Sequence, residues 1–378
     1  MKKILFGASV YQHLTAFHKP FMKWFQERGY EVHAIGNESL GKKIELEKIG
    51  VICHDIDFDR LPFSKKNMNA LKQLNELFSI HYFDLIHVHT PTASFLTRYA
   101  ANNAKQGKVI YTAHGFHFFK GASIKNWLTF FPAEKLAAKW TDVLIVMNNE
   151  DFLLGEKLGF KKNKNLFFVN GVGVDLNEFI EEDNAENNYL KTELKLSEDS
   201  VLVTCIAELS TRKNQSFLLE NWHTIISKMP NAQLILVGKG PDEGEIRTFI
   251  QTHELTNIHL LGYRTDVPKI ISASDIITLV SKQEGLPRCL MEGMAVSKPI
   301  ICTNIRGSAD LVDDKETGVL VDLGNNAKLS NCMIELIGNE ELRKKYGEKA
   351  KLKIQDYSIE SVLRVMGDIY CGILKNDI

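Results

Sequence analysis

Short apolar runs alternate along the chain with segments whose apolar residues recur at three and four spacing. KILFG, EVHAIG, VICHDID, DLIHVHT, KVIYTAHG, DVLIVMN and NLFFVNG occupy the first 171 residues, and SVLVTCIAE, QLILVGKG, NIHLLGY, DIITLVS, KPIICT and GVLVD form a second series. Runs of Val, Ile and Leu without polar alternation predict parallel strands covered on both faces. Between them, FHKPFMKWFQERG and NQSFLLENWHTIISKM carry the spacing of crossover helices. The most polar and acidic stretch, EEDNAENNYLKTELKLSEDS (181–200), separates the two series and reads as a linker. The expected fold class is α/β, with two doubly wound Rossmann-like domains over 1–176 and 177–357 facing a central cleft. In such sheets ligands sit beyond the carboxyl ends of the strands.

Composition narrows the class. At 378 residues the chain exceeds one ordinary hydrophobic core, which agrees with two domains. With 44% hydrophobic and 25% charged residues it falls among globular proteins, and a net charge of −1 argues against nucleic acid as a partner. Cys53, Cys205, Cys289, Cys302, Cys332 and Cys371 are scattered with no CxxC pair, which predicts reduced thiols in the cytoplasm. The opening MKKILFGASVYQH has an apolar run that stops at Tyr11, so a first strand is expected there and no signal peptide. No run approaches the roughly 18 apolar residues of a membrane span.

The chemistry gathers in SKQEGLPRCLMEGMA (281–295), where Glu284 and Glu292 bracket a Gly-Leu-Pro. Glu284 follows a strand, and Pro287 suits the first turn of a helix. That helix would direct its amides and the positive end of its dipole at an anion such as a diphosphate. A carboxylate accepts hydrogen bonds at both oxygens and suits a pair of vicinal hydroxyls. Glu292 is then a candidate for a ribose diol and Glu284 for a second sugar. From spacing alone, an exposed Glu284 and a salt-bridged Glu292 remain equally open.

Glu-x7-Glu around Gly-Leu-Pro resembles the donor signature of the retaining GT-B glycosyltransferases of family 4. The likeness extends to VNGVGVDLNEF (169–179), ELSTRKNQSFLL (208–219), LILVGKGP (234–241) and NIHLLGYRTDVPKIISASDIITLVSKQEGLP. DLIHVHTPTAS (84–94) and YTAHGFHFFKG (111–121) resemble the subgroup that builds bacterial capsule and exopolysaccharide units. The resemblance implies that Glu292 holds the ribose and that Glu284 meets the transferred sugar. Gly285, Leu286 and Pro287 would lie along sugar and phosphate, and Lys213 with Arg212 would neutralise the diphosphate. Gly238, Lys239, Tyr263 and Arg264 would complete the donor contacts. One departure is Glu208, where many members carry arginine, so Arg212 inherits that duty. It further implies a UDP-sugar donor (N-acetylhexosamine or hexose), a saccharide or undecaprenyl-diphosphate-linked acceptor, retention of configuration, and no metal or cofactor. The helix over 358–378 would pack back on the first domain.

His114, directly after a strand, matches the family histidine that reaches the donor sugar. His87 and His89 share one strand face. With no third ligand in view they are read as packing or acceptor contacts, and His117 is a further acceptor candidate. Asp57-Phe58-Asp59 is a D-x-D triplet far from the donor segments and is set aside. Gly238 and Gly240 lack the third glycine of a dinucleotide fingerprint.

Residues 115–140 hold seven Phe or Trp, four Lys and one acid, Glu134. Two readings stand. Trp127, Phe130 and Phe131 form an interfacial element for an anionic leaflet, helped by the basic-apolar loop RLPFSKKN (60–67). In the other, Trp127, Leu128 and Phe131 face the core and the lysines are solvated. Peripheral attachment to the inner face of the plasma membrane follows from the first. The rival functions are a nucleotide-sugar epimerase of the same architecture, a non-catalytic sugar-binding protein, and a phosphorylase-like enzyme with lysine-bound pyridoxal.

Overall fold

Every one of the apolar runs is a strand in the computed structural model, which describes residues 1–59, 61, 64–179 and 189–375. Residues 181–188 of the expected linker, 60, 62 and 63 of the basic-apolar loop, and 376–378 lie outside the described residues. The first series is β1 (Lys3–Val10), β2 (Glu31–Asn37), β3 (Ile52–Asp55), β4 (Leu85–Val88), β5 (Lys108–Ala113), β6 (Val143–Val146) and β7 (Leu166–Phe168). The second is β8 (Val201–Ile206), β9 (Ala232–Val237), β10 (Ile258–Gly262), β11 (Ile276–Leu279), β12 (Ile300–Thr303) and β13 (Gly318–Val321).

These strands form two sheets, ordered β3-β2-β1-β4-β5-β6-β7 and β10-β9-β8-β11-β12-β13, and every pairing is parallel. In each, the order reverses beside the first strand of the series, which is the topological switch point of a doubly wound sheet. The chain divides into two compact units, Met1–Gly173 with the helix from Ile359 onward, and Val174–Ser358.

In the first unit β1 feeds two cores, because successive side chains point to opposite faces. Ile4 and Phe6 enter one layer while Leu5 enters the other, all fully buried. The Ile359–Lys375 helix closes the Ile4/Phe6 layer with Val362, Met366, Ile369, Tyr370 and Leu374, a helical stripe. Tyr370 packs on Phe25 with ring centroids 4.6 Å apart, and its hydroxyl reaches His87 Nδ1 at 2.9 Å. A Cβ on Gly367 would stand 3.0 Å from the Trp24 ring, so the helix is seated by a missing side chain.

The segment 17–29 is not one crossover helix. Its chain runs through two, Tyr11–Phe17 and Lys19–Gln26, with His18 at the break. Pro20 lies in the first turn of the second helix, where its missing N–H costs nothing but prevents a continuous ladder.

In the second unit Val201, Val203 and Cys205 enter the large core, and Leu202 enters a smaller one with Ile235, Val237 and Ile270. All six cysteines are free. Burial pushes the Cys205 thiol up to about 12, so it is an inert core group.

Candidate active site

Because the strands of the second sheet are parallel, the loops leaving β8, β9, β10, β11 and β12 share one edge. The β8 loop is tied to the β11 loop at three points. Lys282 N donates to Arg212 O at 2.8 Å, Asn214 Nδ2 to Val280 O at 3.1 Å, and Arg212 Nη1 to Gln283 O at 3.4 Å. Asn214 has φ +60°, a left-handed conformation that asparagine tolerates better than most residues. The β12 exit is fixed by Thr303 Oγ1, which donates to Ser281 O at 2.6 Å.

That scaffold brings two sequence-predicted residues into direct contact. Lys213 Nζ donates to Glu284 Oε1 at 2.6 Å, with side chains 14% and 8% exposed. Arg212 Nη1 stands 4.0 Å from Glu284 Oε2, and Arg212 is half exposed. Arg306 Nε donates to the Glu284 carbonyl at 3.3 Å. Two cations therefore flank the carboxylate, with a third, Arg306, on its backbone carbonyl, an arrangement suited to an anionic group. Glu208 lies 3.8 Å from Arg212, so the departure at this position is an acid set against the substituting cation.

Pro287 occupies the N-cap of the Arg288–Ala295 helix with ψ 112°, not its first turn as expected. An extended cap is what leads a chain from a loop into helix. The helix lies close on β11, since a Cβ on Gly293 would meet Ile277 at 2.7 Å. Glu292 is buried, and Arg288 Nε donates to its Oε1 at 2.7 Å. Burial raises its carboxyl above the ordinary value, against the nearby Arg288 charge. Gly285 and Leu286 lie against Gly307, where φ is +81° and a Cβ would fall 2.2 Å from Gly285 O.

Gly238 (φ +142°) and Gly240 let the β9 exit pass the β8 exit, since Cβ atoms there would fall 2.0 Å from Ala207 O and 2.1 Å from Leu209 O. Their glycine requirement is thus loop against loop. Lys239 is exposed at the same turn and Tyr263 is 73% exposed after β10. Arg264 is fully engaged with Asp266 at 2.6 Å, Glu193 at 2.7 Å and the Tyr189 hydroxyl at 2.6 Å. Its charge is already neutralised, unlike that of Lys239.

In the first unit, the exits of β1, β4 and β5 gather histidines that are distant in sequence. One ring nitrogen from each of His13, His18, His89 and His114 lies within 4.8 Å of the others. The reading of His89 without a third ligand is therefore corrected, because the break at His18 folds two more imidazoles onto it. His18 and His89 stack with centroids 3.6 Å apart. Burial holds His18, His89 and His114 well below the usual imidazole range. His87 is not in this group, as its Nε2 pairs with Thr112 Oγ1 at 2.7 Å. Beside His89, Thr90 adopts φ +59° and ψ 137°, strained for a β-branched residue and held by Ser9 N at 2.9 Å.

The D-x-D triplet is used locally. Asp57 accepts from Asn69 Nδ2 at 3.0 Å, and Asp59 Oδ1 from Leu61 N at 3.0 Å. His117 packs on Phe130, centroids 4.7 Å apart. Trp127 donates its Nε1–H to Phe119 O at 3.2 Å, and Phe131 meets Phe118 edge to face at 5.4 Å. Trp127, Phe130 and Phe131 are thus half-buried on the core, not a free surface, while Leu128, read as core in the second alternative, is 73% exposed. The helix turns Ile124 and Leu128 outward because they lie four residues apart, away from the aromatic face.

Sequence reading missed Arg306, Gly307, Arg288, His13 and His18. Arg306-Gly307 directly follows the run KPIICT, and position after a strand was the available signal.

Residues 187–353 match the family model of glycosyl transferases group 1, and residues 3–149 match that of glycosyl transferase 4-like proteins. A Bacillus subtilis (strain 168) protein named as the glycosyltransferase EpsD is 33% identical over 382 residues, covering 100% of this chain and 98% of EpsD. The Escherichia coli UDP-Gal:alpha-D-GlcNAc-diphosphoundecaprenol alpha-1,3-galactosyltransferase is 28% identical, covering 82% of this chain and 81% of that protein. The crystal structure of Anabaena HepE with UDP and glucose superposes with a TM-score of 0.82 at 19% identity, over 98% of this chain and 100% of HepE. Two parallel-sheet α/β units, the relatedness to EpsD and the superposition on HepE place the chain in the family 4 (group 1) glycosyltransferases of the GT-B fold.

Proposed function

We propose that the chain transfers a sugar, a hexose or N-acetylhexosamine, from a UDP-sugar to a polysaccharide-precursor acceptor with retention of configuration. The second unit binds the donor and the first binds the acceptor. The observation that carries this reading is Glu284 held by Lys213 at 2.6 Å beside Arg212, at the edge where a parallel sheet takes its ligands.

The diphosphate replaces Glu284 as the partner of Lys213 and Arg212, and the start of the Arg288–Ala295 helix adds its positive dipole end. Leaving-group charge grows on the diphosphate as the sugar bond breaks, and preorganised cations stabilise it without a metal at that position. Released from Lys213, Glu284 turns to the transferred sugar along Gly285, Leu286 and Pro287. Glu292 accepts from the ribose diol. Gly238, Lys239, Tyr263 and Arg264 border the nucleotide, and His114 stands at the reaction centre with His89 and His117 on the acceptor side. Retention, as the family resemblance implies it, without a covalent nucleophile has the acceptor hydroxyl attack on the face the diphosphate leaves, giving up its proton to the departing phosphate oxygen as the sugar–phosphate bond breaks.

The E. coli relative is named for a UDP-galactose donor and a diphosphoundecaprenol acceptor, and HepE was crystallised with UDP and UDP-glucose. We extend both to this chain as substrate classes. A lipid-linked acceptor brings the first unit to an anionic membrane at its inner face. The described residues contain no helix long and apolar enough to cross one.

The test is a thermal-shift screen of UDP-sugars, followed by transfer assays with the stabilising donor and an undecaprenyl-diphosphate saccharide. A cognate donor at 100 times its Kd stabilises by about 2.7 kcal/mol. Stabilisation by no UDP-sugar, or donor epimerisation without an acceptor, overturns the reading.

A further inference from the structure

The Pro91–Asn103 and Ile124–Ala137 helices of the first unit leave a groove of about 180 Å³ between them. Pro91, Phe95 and Leu96 form one wall, Phe130 and Ala133 the other, and all five are only half-buried. Pro132 lies inside the second helix and has no N–H to give the Leu128 carbonyl, so the hydrogen-bond ladder is interrupted beside the groove.

The groove suits hydrocarbon. Its one ionisable group is already paired, since Glu134 is buried and holds Arg98 at 2.9 Å. An apolar cavity of roughly 150 Å³ accepts a benzene-sized group, so this space takes a unit of about five or six carbons. A hexose has about twice as many non-hydrogen atoms and needs partners for its hydroxyls, which these walls do not offer. The apolar character runs on past the groove. Phe95 meets Trp140 with ring centroids 5.6 Å apart, Tyr99 meets the same ring at 5.1 Å, and Leu136, on the turn after Ala133, is 45% exposed. From Pro91 to Tyr99 the seam measures roughly 12 Å at about 1.5 Å per helical residue, room for more than one such unit in line.

One end of the seam lies at the acceptor side of the proposed function. Pro91 is two residues past His89, and Phe130 packs on His117 with centroids 4.7 Å apart. Lys125, one turn before the groove residue Thr129, is exposed and forms no ion pair among the described residues. A cation beside an uncharged, aromatic-walled groove complements a ligand with an anionic linker and an apolar tail.

We infer that this groove holds the diphosphate-proximal isoprenoid units of a polyprenyl-diphosphate acceptor, with Lys125 meeting the diphosphate and the Tyr99–Trp140 seam carrying the chain away.

The inference rests on the lipid-linked acceptor of the proposed function and names the surface that recognises its tail. Ile124 and Leu128 point outward from the same helix, so chain capture and contact with a bilayer use separate faces.

The experiment titrates the full chain calorimetrically, with no membrane present, against farnesyl diphosphate, methyl diphosphate and inorganic pyrophosphate. Farnesyl diphosphate is expected to bind at least about tenfold more tightly than the other two, because the head is shared and only the tail differs. Ala133→Phe fills the groove and removes that advantage. Thr129→Phe, at a half-exposed position on the same wall, replaces it should Ala133→Phe fail to fold by circular dichroism. Leu128→Glu, outside the groove, leaves farnesyl affinity within about twofold. In transfer assays, Ala133→Phe raises KM for an undecaprenyl-diphosphate saccharide at least about tenfold and leaves KM for the methyl-diphosphate form of that saccharide within about twofold. Equal affinity for farnesyl and methyl diphosphate in the wild type, or a farnesyl advantage that survives in the folded filled variants, overturns the inference even where transfer to the lipid acceptor is seen. A chain that binds farnesyl diphosphate as expected but is stabilised by no UDP-sugar overturns the donor reading instead and leaves the groove assignment standing.

Discussion

Lys213 Nζ and Glu284 Oε1 are 2.6 Å apart, so the cation assigned to the diphosphate and the acid assigned to the sugar begin as each other's partner. On the proposed reading a donor separates them, and each then finds a new partner on the ligand. Lys213→Ala therefore has two effects: it removes a diphosphate contact and leaves Glu284 buried with only the distant Arg212. Its kcat/KM is expected to fall by about 10²–10³-fold, the loss typical of one transition-state donor, with UDP binding weakened by calorimetry. Glu284→Gln is expected to lower turnover to a similar degree while leaving UDP affinity within about threefold. Wild-type turnover in either variant would remove the pair from the site.

The buried Glu292 carboxyl sets a pH dependence. Desolvation raises its folded-state pKa above the ordinary glutamate value of about 4.3, with Arg288 opposing. The folded protein thus holds the proton more tightly than the unfolded chain does. That contribution to stability is complete below the ordinary value and is lost as pH rises through the raised one. Donor binding follows the reverse course, because the ribose diol needs the ionised acceptor. UDP affinity is expected to weaken on acidification, beginning above pH of about 4.3. Glu292→Gln should bind about 10-fold more weakly at neutral pH and lose this acid limb. The same limb in the glutamine variant, measured by calorimetric titration, would refute the assignment.

Much of the fold was legible because parallel strands buried on both faces leave an unmistakable run, as IITL and IICT do. Glu284 was legible because it lies in the exit loop of such a run, and Lys213 because its loop after β8 resembles the phosphate loop of the family. What the sequence hides is convergence. Nothing local says that His13, inside the first helix, and His18, at the break after it, fold onto His89 and His114 more than 70 residues away. For Arg264, given as a donor contact by the family resemblance, only the fold reveals that Asp266 and Glu193 also hold it. Of the two readings of 115–140, the core-facing one holds for Trp127 and Phe131 but not for Leu128, because the helix rotation is set by Phe118 and Phe119, not by composition.

Gly307 fixes the turn that the proposed function sets along the donor. Its φ of +81° and the 2.2 Å approach of a built Cβ to Gly285 O leave no room for a side chain. Gly307→Ala is expected to displace the Gly285–Leu286 turn at a cost of about 1–3 kcal/mol. Thermal denaturation should register that loss, and KM for the donor should rise more than kcat falls. An unchanged KM would place the turn away from the donor.

Arg98 and Glu134 form an ion pair at 2.9 Å, with side chains 1% and 10% exposed, beneath the Tyr111 ring. Arg98 also donates to the Ser94 carbonyl and to Thr141 Oγ1, so the guanidinium is satisfied only with Glu134 in place. Glu134→Ala leaves a buried, uncompensated charge and is expected to cost about 3–5 kcal/mol. Calorimetric unfolding should show the loss in the first unit's transition. A cost below about 1 kcal/mol would mean that water or another acid replaces Glu134.

The membrane-facing candidate is now Ile124 and Leu128, not the aromatic triplet. They are 78% and 73% exposed one turn apart, with Lys125 and Lys135 exposed on the same helix. Inserting such a side chain into the acyl boundary is worth at most about 1.5–3 kcal/mol, and each 1.4 kcal/mol is tenfold in partitioning. Binding to vesicles rich in phosphatidylglycerol is expected to fall about tenfold in Leu128→Glu and further in the double variant with Ile124→Glu. Raised salt should weaken it through the lysines. Trp127→Ala serves as the contrast, since it removes a ring packed on Phe118 and should lower Tm before it changes vesicle binding. Equal sedimentation of the wild type and the double glutamate variant would take this helix off the membrane and leave lipid-linked acceptors to be reached by another surface.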